Sequence, residues 1–123
     1  MHDNVDTYRV PGLATTKQGT LLAVYDARRD SRRDLQGDID IGLSRSTDGG
    51  RSWEPLRVIM DMGEYGGLPQ NRNGCSDPGI VVDQATGEVF CAAVWMWGKL
   101  GRHQWSEGGS DVGFEIEIGR AHV

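Results

Sequence analysis

Two arginines and several aspartates are the side chains of this sequence most capable of chemistry. Arg9 lies in the stretch YRVPGL, and Arg28 ends the stretch YDAR. An arginine can bind a permanent anion, because its planar guanidinium donates two parallel hydrogen bonds and keeps its proton. Each arginine also has a plainer interpretation. Arg9 can lie on an edge strand that Pro11 blocks, and Arg28 can be solvated beside the further arginines that follow it.

The segment that follows Arg28 is rich in carboxyl groups, which can donate or accept a proton. Asp30 and Asp34 lie within it, and Asp38 begins the next predicted strand. Another candidate is Asp77, directly before a proline, where an ordinary entry into a strand is an equally good interpretation. An aspartate on a surface loop can also be a simple solvated residue, so residue type alone does not choose among these carboxyl groups.

Composition and the remaining motifs exclude several functional classes. Lys and Arg number 13 against 18 Asp and Glu, so the formal net charge is -5 and nucleic acid is not an expected partner. His2, His103 and His122 are scattered without metal-binding spacing, and no glycine-rich phosphate loop is present. No apolar run is long enough to span a membrane. The sequence therefore predicts no metal, no cofactor and no membrane span.

Short strands separated by glycine-containing turns account for most of the chain, which predicts an all-β sandwich, barrel or propeller. The predicted strands are residues 20–27, 38–46, 57–60, 79–83 and 88–97. In the second of them, Ile39, Ile41 and Leu43 share one face, and polar residues or glycine occupy the other, as in a half-buried strand. Segments 61–75 and 98–110 are rich in glycine and polar residues and are predicted to be loops.

The turn after the second predicted strand has the most specific sequence in the chain. It reads STDGGRSW over residues 46–53. Asp48 can accept hydrogen bonds from the turn's own N–H groups, and Trp53 can fold back as an apolar plug. A plain hairpin with a Gly-Gly corner is the simpler alternative. The stretch resembles an Asp box, S-x-D-x-G-x-[ST]-W, which recurs at the turn between the two outer strands of β-propeller blades. This resemblance implies a propeller fold and says little about chemistry.

Three elements, in this order, resemble the catalytic domain of sialidases (neuraminidases). YRVP at residues 8–11 resembles the [FY]-R-[IV]-P signature that opens that domain, YDAR resembles the strand end with a second substrate arginine, and the Asp box follows. The resemblance extends from about Thr7 to about Trp105. It implies that Arg9 is the first of three arginines that bind the sialic acid carboxylate, and that Arg28 is an accessory arginine of the same pocket.

The same resemblance points to three further roles, for which four side chains are candidates. In sialidases the general acid and base is an aspartate on the loop after the accessory arginine, which Asp34 matches best and Asp30 second best. Asp77 resembles the aspartate of the family's D-P element, which contacts a sugar hydroxyl. Trp95 is a candidate for the apolar wall around the N-acetyl group, with packing in the core as its alternative role.

Other parts of a sialidase site have no match in this sequence. The rest of the arginine triad and the Tyr–Glu pair that acts as nucleophile normally lie in later blades of a six-bladed propeller. One blade takes about 40 to 50 residues, so this chain holds fewer than three. The expected fold is therefore all-β, a partial six-bladed β-propeller made of its first two to three blades. Such a piece alone is expected to fold poorly and not to hydrolyse a sialoside.

The end of the chain carries a separate expectation. Residues 117–123 can be encoded by a nucleotide sequence that, apart from its first base, resembles the start of a common sequencing adapter. We therefore expect residues 1–116 to be the N-terminal part of the propeller domain and 117–123 to be a non-native tail. A native acidic strand with a polar end is the alternative interpretation.

The resemblance implies that the parent protein is an exported exo-α-sialidase, which removes terminal sialic acids from glycoconjugates with retention of configuration and without a cofactor. Its partners would be sialylated glycans on proteins, lipids or oligosaccharides. Two alternatives stay open. One is a non-catalytic Asp-box propeller that binds glycans or proteins, and the other is a trans-sialidase that transfers the sugar to another glycan.

Overall fold

The computed structural model describes residues 3–98 and 112–122. Within those residues the chain forms two antiparallel β-sheets and two short 3₁₀ turns, at Tyr65–Gly67 and Gln70–Arg72. The strands are β1 (Thr7–Thr15), β2 (Leu21–Arg28), β3 (Ile39–Ser46), β4 (Arg57–Met60), β5 (Asn73–Val82), β6 (Glu88–Gly98) and β7 (Val112–His122). The all-β prediction is confirmed.

The first sheet is a four-stranded meander in the order β1-β2-β3-β4, the arrangement of one propeller blade. β2 and β3 pair without a register shift, from Leu21 opposite Ser46 to Arg28 opposite Ile39. As predicted, the isoleucines of β3 point inward, with Ile39 and Ile41 2% and 0% exposed. The start of β3 is, however, buried on both faces rather than half-buried. Asp40 on the other face is only 4% exposed.

The turn between β3 and β4 has the hydrogen bonds of an Asp box. The carboxylate of Asp48 accepts the backbone N–H of Ser52 at 2.9 Å and the hydroxyls of Ser46 and Ser52. These hydrogen bonds lower the pKa of Asp48 to about 2. Trp53 folds back so that its indole N–H donates to the Gly50 carbonyl at 3.2 Å. Its side chain stays partly exposed, so the tryptophan covers the turn without being a fully buried plug.

The second sheet has the order β5-β6-β7. β5 begins at Asn73, six residues before the predicted start, because the β-poor segment NGCSDP pairs with the apolar strand β6. Of the predicted loop 98–110, only Gly98 is described, and it ends β6. β7 includes residues 117–122, and the interpretation of 117–123 as a non-native tail stays a prediction.

One core lies between the two sheets. From the first sheet, Val24 and Ile41 are completely buried there. From the second, Cys75 and Ala93 meet them, and Cys91 and Trp95 belong to the same cluster. This sharing of an apolar core between adjacent sheets is what neighbouring propeller blades require. In the described part of the chain, no helix is long and apolar enough to cross a membrane.

Candidate active site

Strand register brings the two predicted substrate arginines to one end of the first sheet. Arg28 is the last residue of β2, and Arg9 of β1 lies opposite Asp26. Because side chains alternate along a strand, Asp26 and Arg28 share one face, which Arg9 also joins as the cross-strand partner of Asp26. A β-bulge between Arg9 and Gly12 interrupts the register just beyond, and Val10 within it has a left-handed φ of 55°. Bulges of this kind redirect neighbouring side chains.

Arg28 is buried, with a side chain only 1% exposed, so it is not a solvated loop residue. Its Nε and Nη2 donate to Asp26 Oδ2 at 3.1 and 2.8 Å. Its Nη1 donates to the Arg32 carbonyl and to Asp34 Oδ1, both at 2.8 Å. A guanidinium has five N–H donors, so at most one is left for a ligand. Arg28 therefore joins the strand end to the loop that carries Asp34.

Asp26, which sequence analysis did not identify, is the buried partner that holds Arg28. Its side chain is 0% exposed. Besides Arg28, it accepts the Ser76 hydroxyl at 2.7 Å on Oδ2 and the Asp77 backbone N–H at 3.0 Å on Oδ1. Burial raises the pKa of Asp26, and the hydrogen bonds from Ser76, Arg28 and Asp77 act in the opposite direction. This one carboxylate therefore links both sheets at the floor of the site.

Asp34 and Arg9 lie on the open side of this buried pair. Asp34 Oδ1 is 2.8 Å from Arg28 Nη1 and 3.9 Å from Arg9 Nη1. The side chain of Asp34 is 67% exposed and that of Arg9 is 52% exposed, so both are accessible to a ligand. Asp30, the second-best match, is also exposed. The pKa of Asp38 is raised by burial and, in addition, by the negative charge of Asp30. The structure thus brings Asp34, rather than Asp30, to the two arginines.

Asp77 lies at the rim of the same site. It occupies a bulge of β5 between Ser76 and Gly79 and has a left-handed φ of 58°. Its side chain is exposed and accepts the Ser76 hydroxyl at 3.2 Å, while its backbone is tied to Asp26. The backbone of Asp77 is therefore held in place by the buried carboxylate of Asp26.

Trp95 lies in the core. Its side chain is 5% exposed, its indole N–H donates to Asn73 Oδ1 at 3.2 Å, and its ring makes a T-shaped contact with that of Tyr65, with the ring centroids 5.0 Å apart. The exposed ring at this position is that of Tyr65, which is 60% exposed. A role for Trp95 in binding an N-acetyl group stays a prediction, and the structure places the residue in packing.

Two further observations concern other chemistry. In the described ranges, no three His, Cys, Asp or Glu side chains are grouped so that they could hold a metal ion. Asp40 of β3 accepts two hydrogen bonds from Arg29, at 3.0 and 2.8 Å. Burial nevertheless raises the pKa of Asp40 to about 6, with a contribution from the charge of Asp61.

Comparisons with curated proteins and with solved structures point to one family. No family model matches the chain. Over 118 residues, 94% of its length, the chain is 47% identical to a sialidase from Bacteroides fragilis strain YCH46, and it is 41% identical over 83 residues, 68% of its length, to a sialidase from Micromonospora viridifaciens. Among solved structures, the Hadza microbial sialidase Hz136 matches 97% of the chain at 39% identity, with a TM-score of 0.89.

These matches extend over a small part of each relative. The chain spans 22% of the Bacteroides protein, 12% of the Micromonospora protein and 24% of the Hz136 chain. Within that part, the sequence identity and the fold agree with one another. The chain belongs to the sialidase family.

Proposed function

We propose that this chain forms one side of the substrate pocket of an exo-α-sialidase. The observation that carries the proposal is the convergence of Asp34 with two arginines, 2.8 Å from Arg28 and 3.9 Å from Arg9. An exposed carboxyl group beside an exposed and a buried guanidinium suits a substrate that brings its own carboxylate to a reacting centre. Sialic acid is such a substrate, because its carboxylate is attached to the anomeric carbon.

Arg9 is the residue that binds the substrate carboxylate. Its side chain is half exposed, and its nearest ionic contact in the described residues, with Asp34, is long at 3.9 Å. Its guanidinium is therefore available for a two-pronged contact with a carboxylate. Arg28, whose donors are almost all engaged, has a different role. It holds Asp34 in place and offers at most one N–H to the ligand.

Asp34 acts as general acid and then as general base. In the first step its proton passes to the glycosidic oxygen as the bond from that oxygen to the anomeric carbon breaks and a nucleophile bonds to the anomeric carbon. In the second step Asp34 takes a proton from the water that displaces the nucleophile. Two displacements give net retention. The nucleophilic Tyr–Glu pair and the rest of the arginine triad would come from other blades of the whole protein.

The substrates on this proposal are sialylated glycoproteins, glycolipids and oligosaccharides, with Asp77 contacting a sugar hydroxyl from the pocket rim. The exclusion of nucleic acid stays a prediction from the acidic net charge. A non-catalytic glycan-binding propeller would retain the Asp box but would not require an exposed aspartate over an arginine pair. Transfer of the sugar to another glycan uses the same site and differs only in the acceptor.

The test uses a chimera of the Bacteroides fragilis relative, in which this chain replaces the matching 118-residue stretch. We expect the chimera to cleave an aryl sialoside and sialyllactose and to release the α-anomer first, as followed by proton NMR. Asp34→Asn should lower kcat/KM for sialyllactose about 100-fold or more.

Asp30→Asn is the matched control, because it removes an exposed carboxylate from the same loop without touching either arginine. It should leave activity within about twofold of the unmodified chimera. An inactive chimera that binds sialylated glycans would favour the non-catalytic alternative. Sialic acid recovered on an added acceptor glycan, rather than free in solution, would favour a transferase.

A further inference from the structure

The loop that carries Asp34 is long, and it needs support from outside itself. Residues 29–38 connect β2 to β3, and the loop is closed at its base by the Arg29 N–H, which donates to the Asp38 carbonyl at 2.9 Å. A connection of this length without regular structure has many accessible conformations unless its side chains are anchored. Asp34 itself is exposed, and its contacts are with charged side chains. Its position therefore depends on what anchors its neighbours.

The next two residues are buried against the second sheet. Leu35 and Gln36 are each 8% exposed. Leu35 packs in a small apolar cluster with Ile39 and Met96. The side-chain nitrogen of Gln36, Nε2, donates to the backbone carbonyls of Met96, at 2.9 Å, and Gly98, at 3.4 Å. The chain thus passes from the exposed Asp34 directly into the blade formed by β5 and β6.

The side-chain oxygen of Gln36, Oε1, completes this anchor on the other strand, β5. It accepts the backbone N–H of Gly74 in β5 at 3.1 Å and that of Gly37 at 3.1 Å. A planar amide that bonds β6 at one end and β5 at the other has its orientation fixed at both ends.

Gly74 allows the loop to approach this closely. A Cβ at residue 74 would lie 2.3 Å from the Gly37 carbonyl oxygen and 3.1 Å from Gln36 Oε1. Real Cβ atoms essentially never come as close to an atom as the 2.3 Å to the Gly37 oxygen, so any larger residue at 74 must displace the loop.

We propose that Gln36 is the positioning residue for the general acid, and that it holds Asp34 over the arginine pair by docking the 29–38 loop onto the neighbouring blade. The inference rests on the proposed function, since it needs Asp34 to protonate the leaving group. Gln36 makes no contact with the substrate in this scheme. Gln36 fixes Asp34 through the two peptide units between them, and Gly74 leaves the space in which the loop packs against β5.

A leaving-group comparison in the chimera tests this role. A phenolate departs from an aryl sialoside with little need for a proton, whereas the sugar alkoxide of sialyllactose must be protonated as it leaves. Gln36→Leu removes the amide and should lower kcat/KM for sialyllactose about 100-fold, but that for the aryl sialoside less than about 5-fold, because kcat/KM reports the first displacement alone. Gly74→Ala, which displaces the loop from the other side, should show the same selective loss.

Gln84→Leu is the matched control. Gln84 is a glutamine whose amide also donates to a backbone carbonyl, that of Thr15 at 3.0 Å, but it lies in the β5–β6 turn, in an exposed contact outside the arginine site. It should leave both substrates unaffected. The proposal is contradicted if Gln36→Leu and Gly74→Ala lower kcat/KM equally for both substrates, whether through misfolding or general disturbance of the pocket. It is also contradicted if neither variant lowers kcat/KM. An unmodified chimera that cleaves neither substrate overturns the proposed function instead, and this inference falls with it.

Discussion

Replacing Asp26 by alanine tests whether the buried carboxylate holds the site together. The substitution removes the acceptor of four hydrogen bonds, two from Arg28, one from the Ser76 hydroxyl and one from the Asp77 backbone N–H. It also leaves the guanidinium of Arg28, 1% exposed, without its buried counter-charge. Breaking a buried ion pair by removing one partner costs about 3–5 kcal/mol, because the remaining charge stays desolvated.

The expected change in melting temperature follows from the unfolding entropy, about 2.1 cal/mol/K per residue. For a folding unit of several hundred residues this gives about 1 °C per kcal/mol, so the Asp26→Ala chimera should melt roughly 3–5 °C lower. Asp26→Asn, which keeps the shape and part of the hydrogen bonding, should lose less. Differential scanning calorimetry measures both variants, with a parallel scan of the unmodified chimera.

A matched control is Asp83→Ala. Asp83 is an exposed aspartate that accepts the backbone N–H groups of Ala85 and Thr86 in the β5–β6 turn. Its loss removes a carboxylate and two hydrogen bonds without exposing a buried cation. If Asp26→Ala melts no lower than Asp83→Ala, Asp26 does not hold the site together.

Two other predictions concern pH and the isolated chain. The pKa of Asp40 is about 6 in the folded state, above its value in the unfolded chain, so the folded state binds more protons between about pH 4 and 6. The free energy of unfolding should therefore fall by at most about 3 kcal/mol as pH rises through that window. Asp40→Asn should reduce the pH dependence of the melting temperature, to which the raised pKa values of Asp26 and Asp38 contribute in the same direction, and an unchanged slope would contradict the assignment. The 123-residue chain alone should release no fluorophore from an aryl sialoside, since it contains no match to the Tyr–Glu pair, and turnover by the purified chain would overturn this expectation.

Local patterns predict most of the fold because strand alternation and turn chemistry are properties of neighbouring residues. β3 and β4 follow the predicted boundaries within one residue, and the Asp box has the predicted hydrogen bonds. The sequence does not predict the start of β5, because NGCSDP has little strand propensity and becomes a strand by pairing with the apolar strand β6. Here tertiary context overrides local preference.

The site shows the same division between local and distant contacts. Arg9, Arg28 and Asp34 lie in segments that resemble sialidase motifs, so the sequence alone could point to them. Asp26 lies in the same YDAR stretch, but its role in joining the two sheets, like the role of Gln36, could not be recognised because it depends on partners far along the chain. Asp26 bonds Ser76 across 50 positions, and Gln36 bonds Met96 across 60. The one local signal for Asp26 is its spacing of two from Arg28, which places both side chains on one face of a strand.

The most direct test of the roles of Arg9 and Asp34 is a crystal structure of the chimera with 2-deoxy-2,3-didehydro-N-acetylneuraminic acid, a planar analogue of the sialyl transition state. We predict that the analogue's carboxylate accepts two hydrogen bonds from Arg9 at about 2.7–2.9 Å, with Asp34 beside the anomeric carbon on the leaving-group side. An analogue bound elsewhere, or bound with its carboxylate directed away from Arg9 and Asp34, would contradict the assignment of this site.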